Sequence, residues 1–187
     1  MPSNTLIIAN VLVYAYTAIV SGNILIINDD VLYWLGQKND FVMNGGYWQL
    51  FTSMFVHVNL LHLFSNMVFL LIFGIRAEDL FSTKEFFAIY FASGLLGNLL
   101  TLYLLTLLMG PFIVSAGASG AIFGIFGACV IYIRKTFGES IIGALIFSFF
   151  LLMLSTTPGV NVIAHFGGLA GGLIIGYALG KTRKTIL

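Results

Sequence analysis

Two of the three histidines in this 187-residue chain lie inside predicted membrane-spanning helices, where polar side chains are costly to bury, and one serine lies at the matching position of a third such helix. They are His62, Ser119 and His165. A serine hydroxyl in contact with an imidazole is the minimum needed for a nucleophile with its general base. Asn66 follows His62 by one helical turn and supplies another hydrogen-bond donor on that helix face. These residue types predict nucleophilic catalysis, if the fold brings them together.

Each of these residues also has a structural interpretation. A serine inside a membrane helix usually donates to the carbonyl one turn back, and a buried histidine is more often structural or part of a proton relay. We interpret His57, which precedes the second predicted helix, as structural. The catalytic interpretation of Ser119 and His165 therefore depends on whether depth, orientation and packing coincide.

The acidic residues all lie outside the uncharged stretches or at their ends. They are Asp29, Asp30, Asp40, Glu78, Asp79, Glu85 and Glu139. Because no carboxylate can reach His165 at its depth, the sequence excludes a Ser-His-Asp triad and predicts a dyad. Phe123, one turn after Ser119, is expected to hold the imidazole by packing. No third ligand can join His62 and His165, so we predict no metal and no cofactor.

The composition is that of an integral membrane protein. Hydrophobic residues make up 59% and charged residues 8%, whereas charged residues are about 25% of a soluble domain. A soluble domain of this size could not cover its surface with 8 basic and 7 acidic residues. The net charge of +1 leaves no basic surface for nucleic acid, and the single Cys129 excludes a disulfide framework.

The uncharged stretches have the lengths of membrane-spanning helices. They are 6–27, 41–75, 86–133 and 140–180. The last two are long enough for two helices each, and they break at Met109-Gly110-Pro111 and Pro158-Gly159, which we expect to be tight turns. Asn59 is the predicted N-cap of the second helix. The chain is therefore predicted to be all-α, a six-helix transmembrane bundle that forms a single domain over residues 1–187.

The distribution of Lys and Arg predicts the orientation of this bundle. Lys38 stands alone on one side. The other side carries Arg76, Lys84, Arg134, Lys135, Lys181, Arg183 and Lys184. By the positive-inside rule, both termini are cytoplasmic, residues 181–187 form a short basic tail, and residues 28–58 are external. That external segment is rich in aromatic residues, so we expect a partly embedded interfacial structure and not a free loop.

The three polar residues share one predicted depth. His62, Ser119 and His165 lie 14, 15 and 16 residues before the next cytoplasmic charge. At ~1.5 Å per residue this places them roughly 21 to 24 Å above the cytoplasmic edge. All three helices run inward, so their N-termini point toward the same plane, a favourable place for developing negative charge.

Glycines explain how the helices could approach. They recur at four-residue spacing as Gly120-xxx-Gly124 and Gly168-xxx-Gly172-xxx-Gly176. Such spacing is typical of close-packed faces in membrane helices. Pressing the predicted fourth and sixth helices together at these faces would bring Ser119 toward His165.

Three motifs now carry a resemblance to a known family. They are Gly117-Ala118-Ser119-Gly120 as GxSG, Ala164-His165-Phe166-Gly167-Gly168 as AHxxG, and His57 to Asn66 as HxxxxHxxxN. In this order they resemble the motifs of rhomboid intramembrane serine proteases, over about residues 48–177. The resemblance implies Ser119 as nucleophile, His165 as base, and an oxyanion hole of His62, Asn66 and the Ser119 amide.

The chain departs from the family pattern in two places. Trp48-Gln49 stands where the family often has Trp-Arg, and Phe123 stands where a phenol often packs on the base. Glu78 lies near an acid that closes the second helix in the family, and we interpret it as structural. Inactive relatives lack the serine or the histidine, and this chain has both.

The resemblance implies a multi-pass protease that cuts single-span membrane proteins, with membrane lipid and transmembrane substrates as its partners. We predict that it resides in the cell (plasma) membrane of a prokaryote. The alternative is a catalytically inactive six-helix membrane protein that binds or escorts transmembrane segments. A small transporter would favour ionisable groups near the midplane and internal repeats, which the sequence lacks.

Overall fold

The computed structural model describes residues 1–138, 140, 142–143, 146–147 and 161–184, and it is mostly helical. In chain order the elements are α1 (Pro2–Ser21), α2 (Asp29–Leu35), β1 (Gln37–Lys38), α3 (Asn39–Met43), α4 (Gln49–Thr52), α5 (Leu60–Leu80), α6 (Thr83–Leu100), a π-helical turn (Thr101–Leu105), α7 (Thr106–Met109), β2 (Val114–Ser115), α8 (Ser119–Phe137) and α9 (Val162–Lys184).

Five helical stretches in this part of the chain are long and apolar enough to cross a membrane. They are α1, α5, the continuous stretch from α6 to α7, α8 and α9. These lengths agree with the spans predicted around the uncharged stretches. The predicted fifth span, before Pro158-Gly159, lies largely outside the described residues.

Local capping explains where several helices begin and end. The Asn59 side chain accepts the backbone N–H of His62 at 2.7 Å, so the predicted N-cap of α5 is confirmed. Ser82 and Glu85 form a reciprocal capping box at the start of α6. Gly138, with φ of 75°, ends α8 in the left-handed conformation.

The connection after α7 differs from the expected tight turn. The helix does end at Met109, but the chain then runs from Gly110 to Ala118 and includes β2. This strand pairs antiparallel with β1, with Ser115 opposite Gln37. Gly-Pro predicts where a helix stops, whereas the pairing depends on residues almost eighty positions away, so the prediction of a tight turn at Met109-Gly110-Pro111 was wrong. The tight turn predicted at Pro158-Gly159 lies outside the described residues.

Residues 28–58 are folded and tied together by side chains. Gln49 Nε2 donates to the Tyr33 carbonyl at 2.6 Å, and the Phe41 ring packs edge-on against Trp34 and Trp48 at 5.6 and 5.4 Å between centroids. The expectation of a structured segment, and not a free loop, is confirmed. Its predicted location outside the membrane stays a prediction.

Several helix ends meet at the opposite end of the bundle from the polar residues. The backbone N–H and hydroxyl of Ser3, in the first turn of α1, both donate to the Glu78 carboxylate near the end of α5, at 2.7 and 2.5 Å. The rings of Phe81 and Tyr132 lie 5.0 Å apart, which joins α5 to α8. Glu78 thus satisfies donors at a helix N-terminus, a structural role.

The predicted glycine faces do pack against each other. A Cβ at Gly168 would overlap the carbonyl oxygen of Gly120, and a Cβ at Gly172 would overlap that of Gly124. Backbone-to-backbone approach of α8 and α9 is therefore possible only with glycine at these positions. The prediction that small residues press these two helices together is confirmed.

Candidate active site

The structure brings the two proposed dyad residues into contact. Ser119 is the first residue of α8 and His165 the fourth residue of α9. The Ser119 hydroxyl oxygen lies 2.6 Å from His165 Nε2, within hydrogen-bond distance. His165 is 3% exposed and Ser119 is half-buried, so this hydrogen bond is partly shielded within the bundle. An imidazole at this distance can accept the hydroxyl proton, which is what a general base must do.

The His165 ring is held by packing. The Phe123 ring stacks on it, with 4.7 Å between centroids and 26° between planes, so the predicted contact is confirmed. Within the described ranges, His165 Nδ1 has no hydrogen-bond partner. Aromatic stacking and the placement of α9 therefore orient the imidazole in this part of the chain.

Gly117 lets the His62 ring approach the loop that leads to Ser119. Its φ of 132° is one that other residues rarely adopt, and a Cβ there would stand 2.8 Å from His62 Cε1 and 3.7 Å from the Ser119 hydroxyl. The Gly117 N–H donates to the Ser53 carbonyl at 2.9 Å. The imidazole of His62 and the hydroxyl of Ser119 thus flank one glycine.

Asn66 lies one turn below His62 on α5. Its Nδ2 donates to the His62 carbonyl at 2.9 Å, and the residue is 4% exposed. Its Oδ1 has no hydrogen-bond partner among the described residues. A primary amide has two N–H donors, so one remains for a ligand after the bond to His62.

His57 packs behind His62, with 5.1 Å between the ring centroids. It is fully buried, and its Nδ1 lies 3.2 Å from the Phe55 carbonyl oxygen. Burial lowers the pKa of His57 to about 3, so the ring is neutral near pH 7 and Nδ1–H donates to that carbonyl. This environment agrees with the structural interpretation of His57.

One cavity of about 600 Å³ joins the four predicted site residues, because Ser119, His165, His62 and Asn66 all line it. Its walls combine these polar groups with apolar side chains, as is usual for ligand sites. In the described ranges no three His, Cys, Asp or Glu side chains are grouped as a metal would require. The predicted absence of a metal stays a prediction.

The sequence analysis missed Asn161, which precedes α9 and also lines the cavity. Its Oδ1 accepts the backbone N–H of Ala164 at 3.0 Å, while its Nδ2 lies near Thr101 and Ser115. An asparagine four residues before His165 is a typical N-cap, so that contact had a sequence signal. The contacts to Thr101 and Ser115 had none, because they join distant parts of the chain.

The chain is similar to proteins of known family. A family model described as the rhomboid domain matches residues 44–182. Rhomboid-like protease 3 of Toxoplasma gondii is 32% identical over 136 residues, 68% of this chain and 50% of that protein. RHOMBOID-like protein 6, mitochondrial, of Arabidopsis thaliana is 34% identical over 138 residues, 71% of this chain and 43% of that protein. Putative rhomboid protease YdcA of Bacillus subtilis (strain 168) is 31% identical over 141 residues, 73% of this chain and 69% of that protein.

The chain spans about half the length of the first two of these relatives and 69% of the third. The matched region nevertheless contains α5, α8 and α9, and with them all four predicted site residues. Because the family model covers most of this chain and the identities exceed 30%, the chain belongs to the rhomboid family.

Proposed function

We propose that this chain is an intramembrane serine endopeptidase that hydrolyses peptide bonds in or near the transmembrane helices of single-span membrane proteins. The observation that carries the proposal is the 2.6 Å contact between Ser119 Oγ and His165 Nε2 at a cavity that His62 and Asn66 also line. Relatives named as proteases in Toxoplasma gondii and Bacillus subtilis support it.

In the proposed reaction, Ser119 Oγ attacks the scissile carbonyl carbon while His165 Nε2 takes the hydroxyl proton. The tetrahedral intermediate collapses, the C–N bond breaks, and His165 returns its proton to the leaving amine. Water then attacks the acyl-enzyme, with His165 again as base, and Ser119 is regenerated. Stacking on Phe123 keeps the imidazole in the plane that both proton transfers need.

The oxyanion of the intermediate would be stabilised at the N-terminus of α8. The Ser119 amide belongs to the first turn of that helix, whose N–H groups have no intrahelical acceptor and whose dipole favours negative charge. We assign the side chains of His62 and Asn66 as further donors, since both line the cavity beside Ser119.

A substrate helix hides its scissile carbonyls in its own hydrogen bonds, so it must unwind before Ser119 can attack. Helix-breaking or small residues near the cut lower the free energy of that step. We therefore propose transmembrane segments with local Gly or Pro as the preferred partners, contacted in membrane lipid.

For the whole chain we propose one rhomboid domain over residues 1–187, with six spans, cytoplasmic termini and residues 28–58 outside. Three contacts support a shared side for both termini: Ser3 with Glu78 joins the start of α1 to the end of α5, the rings of Phe81 and Tyr132 join that end to α8, and Lys135 with Tyr177 joins the end of α8 to α9. We keep the plasma membrane of a prokaryote as the proposed location. The relatives come from Bacillus subtilis and from eukaryotes, and one is named mitochondrial.

A fluorophosphonate probe tests the proposal, because it reacts only with an activated serine. We expect labelling of the detergent-solubilised chain, and we expect loss of labelling and of cleavage of a model single-span substrate in Ser119→Ala and His165→Ala. Nucleophile and base act as a unit, so each loss should be nearly complete.

A chelator in the same assay tests the predicted absence of a metal, and we expect it to have no effect on labelling or cleavage.

Ser93→Ala is the matched control, since Ser93 is a buried serine on α6 that packs against Gly124. It should label and cleave like the unmodified chain. Cleavage by Ser119→Ala near the normal rate would refute the enzyme assignment. A folded chain that binds transmembrane segments without any labelling would instead support the escort function.

A further inference from the structure

One side-chain amide connects three separate elements around the dyad. Asn161 Oδ1 accepts the backbone N–H of Ala164 at 3.0 Å, which caps the first turn of α9. Asn161 Nδ2 donates to Thr101 Oγ1 at 2.8 Å, in the π-helical turn after α6. The same Nδ2 donates to Ser115 Oγ at 2.9 Å, in β2. Both N–H donors and the acceptor of this amide are therefore used.

The two segments that Asn161 joins are those that carry Ser119 and His165. Ser115 lies four residues before Ser119 and is itself fixed by pairing with Gln37 of β1. Ala164 immediately precedes His165, and the His165 N–H donates to the Asn161 carbonyl at 3.3 Å. A displacement of Asn161 would thus move the two halves of the dyad relative to each other.

We infer that Asn161 is a positioning residue for the Ser119–His165 dyad, an inference that rests on the proposed function. Within the described ranges His165 Nδ1 has no hydrogen-bond partner, so the ring is not oriented there by a polar group of its own. Its distance from Ser119 then depends on where α9 begins. Asn161 fixes the start of α9 relative to β2 and the π-helical turn.

The direction of the bond to Thr101 makes an amide necessary. Thr101 Oγ1 donates its own proton to the Gly97 carbonyl at 2.9 Å, so it can only accept from Asn161. An aspartate would keep the cap on Ala164 but would present a second acceptor to Thr101 Oγ1. A serine would keep a capping hydroxyl and would be too short to reach both partners. Asn161→Asp and Asn161→Ser therefore separate capping from positioning.

Rates of Ser119 labelling by a fluorophosphonate give the first measurement. We expect Asn161→Ser and Asn161→Asp to slow labelling about 10- to 100-fold, because a displacement of about 1 Å is enough for such a loss. Ser115→Ala should also slow labelling. Because the two residues act through one contact, the double variant Asn161→Ser/Ser115→Ala should be labelled no more slowly than Asn161→Ser alone. Ser82→Ala, which removes the N-cap of α6, is the matched control, with a lower thermal midpoint but normal labelling.

Imidazole ¹⁵N NMR gives a second measurement that does not need activity, since the chain has only three histidines. Ser119→Ala identifies the His165 Nε2 resonance by removing its hydrogen-bond partner. Asn161→Ser should shift that resonance in the same direction. If the resonance stays at its original position, or if labelling stays within about twofold of normal, the inference is wrong. If the unmodified chain is never labelled but the resonance shifts, the proposed function fails and the positioning role stands.

Discussion

At the scale of single residues, Asn66 and Asn10 form the same local structure in two places. Both are buried, and each donates its side-chain amide to the carbonyl four residues earlier, at 2.9 and 2.8 Å. Only Asn66 lines the cavity with Ser119. Alanine at either position removes the same kind of hydrogen bond, so the pair separates a structural role from a catalytic one.

We predict that Asn66→Ala lowers kcat more than it raises KM, because an oxyanion donor acts mainly in the transition state. One such donor is typically worth ~2.7–4 kcal/mol, and the effect here should be smaller because the Ser119 amide and the helix N-terminus share the charge. His62→Ala should be more severe, since it also empties space at a packed helix end.

Kinetics in detergent, with thermal unfolding of the same samples, measure both effects. Asn10→Ala should lower the unfolding midpoint with kcat unchanged. An Asn66→Ala variant that behaves like Asn10→Ala would show that the oxyanion assignment of Asn66 is wrong.

His57 predicts how stability depends on pH. Its pKa is about 3 in the folded chain, below the ordinary value of 6.5, so between these values the unfolded chain binds a proton that the folded chain does not. The contribution of neutral His57 to the free energy of unfolding is fully present above pH 6.5. It is lost as pH falls toward 3, by up to about 1.4 kcal/mol per pH unit. His57→Asn keeps a donor for the Phe55 carbonyl and removes this titration.

Thermal unfolding at pH 7, 6 and 5 should therefore show a steeper loss for the unmodified chain than for His57→Asn. The comparison uses the slope with pH, because the substitution also changes packing at every pH. Parallel slopes would contradict a neutral, buried His57.

At the scale of elements, the contact between α8 and α9 is predicted to be the most sensitive to small substitutions. Gly172→Ala places a methyl group against the Gly124 carbonyl, and we expect a loss of about 1–3 kcal/mol from overpacking. Gly168→Ala meets the Gly120 carbonyl beside Ser119, so it should also slow probe labelling.

Gly180→Ala on the same helix is the control. The three atoms nearest to a Cβ there all belong to side chains, those of Lys135 at 3.1 Å and Thr136 at 3.6 Å, and alanine improves helix propensity by about 1 kcal/mol. We therefore expect Gly172→Ala and Gly168→Ala to have lower thermal midpoints than Gly180→Ala, and thermal unfolding of the three variants tests this order. Equal midpoints would mean that α9 can shift without loss, contrary to close backbone packing.

Much of this architecture could be predicted from local sequence signals. Asn59 marks the start of α5, the glycine spacing predicts the α8–α9 contact, and Phe123 packs on His165 as its spacing suggests. The pairing of β2 with β1 and the links made by Asn161 could not be predicted. They join residues far apart in the chain, and two-residue strands leave no periodicity to detect.

At the scale of the whole molecule, the orientation predicted from Lys and Arg can be tested with single cysteines. Cys129 is buried and can first be replaced by alanine. Tyr47→Cys lies in the proposed external segment and Lys84→Cys on the proposed cytoplasmic side, and both residues are exposed. An impermeant maleimide should label Tyr47→Cys in intact cells and Lys84→Cys only after permeabilisation.

The two variants control each other, since each reports one side of the membrane in the same background. Labelling of Lys84→Cys in intact cells, with protection of Tyr47→Cys, would show that the orientation is the opposite of the predicted one. Ser119 would then lie near the cytoplasmic surface, and the accessible cleavage sites of substrates would change sides with it.

Among the described spans, α8 is the most buried, with 61% of its apolar stretch buried, against 28% to 39% for the others. The helix that begins with Ser119 therefore has little surface of its own in contact with lipid. Hydrophobic mismatch acts on lipid-facing surface, by tilting or thinning. A change in bilayer thickness therefore moves Ser119 only indirectly, through the tilt of the neighbouring helices. The depth of the Ser119 hydroxyl in the membrane is set by α5, α6 and α9. Lipid acyl-chain length therefore changes the rate of cleavage through the tilt of these three helices.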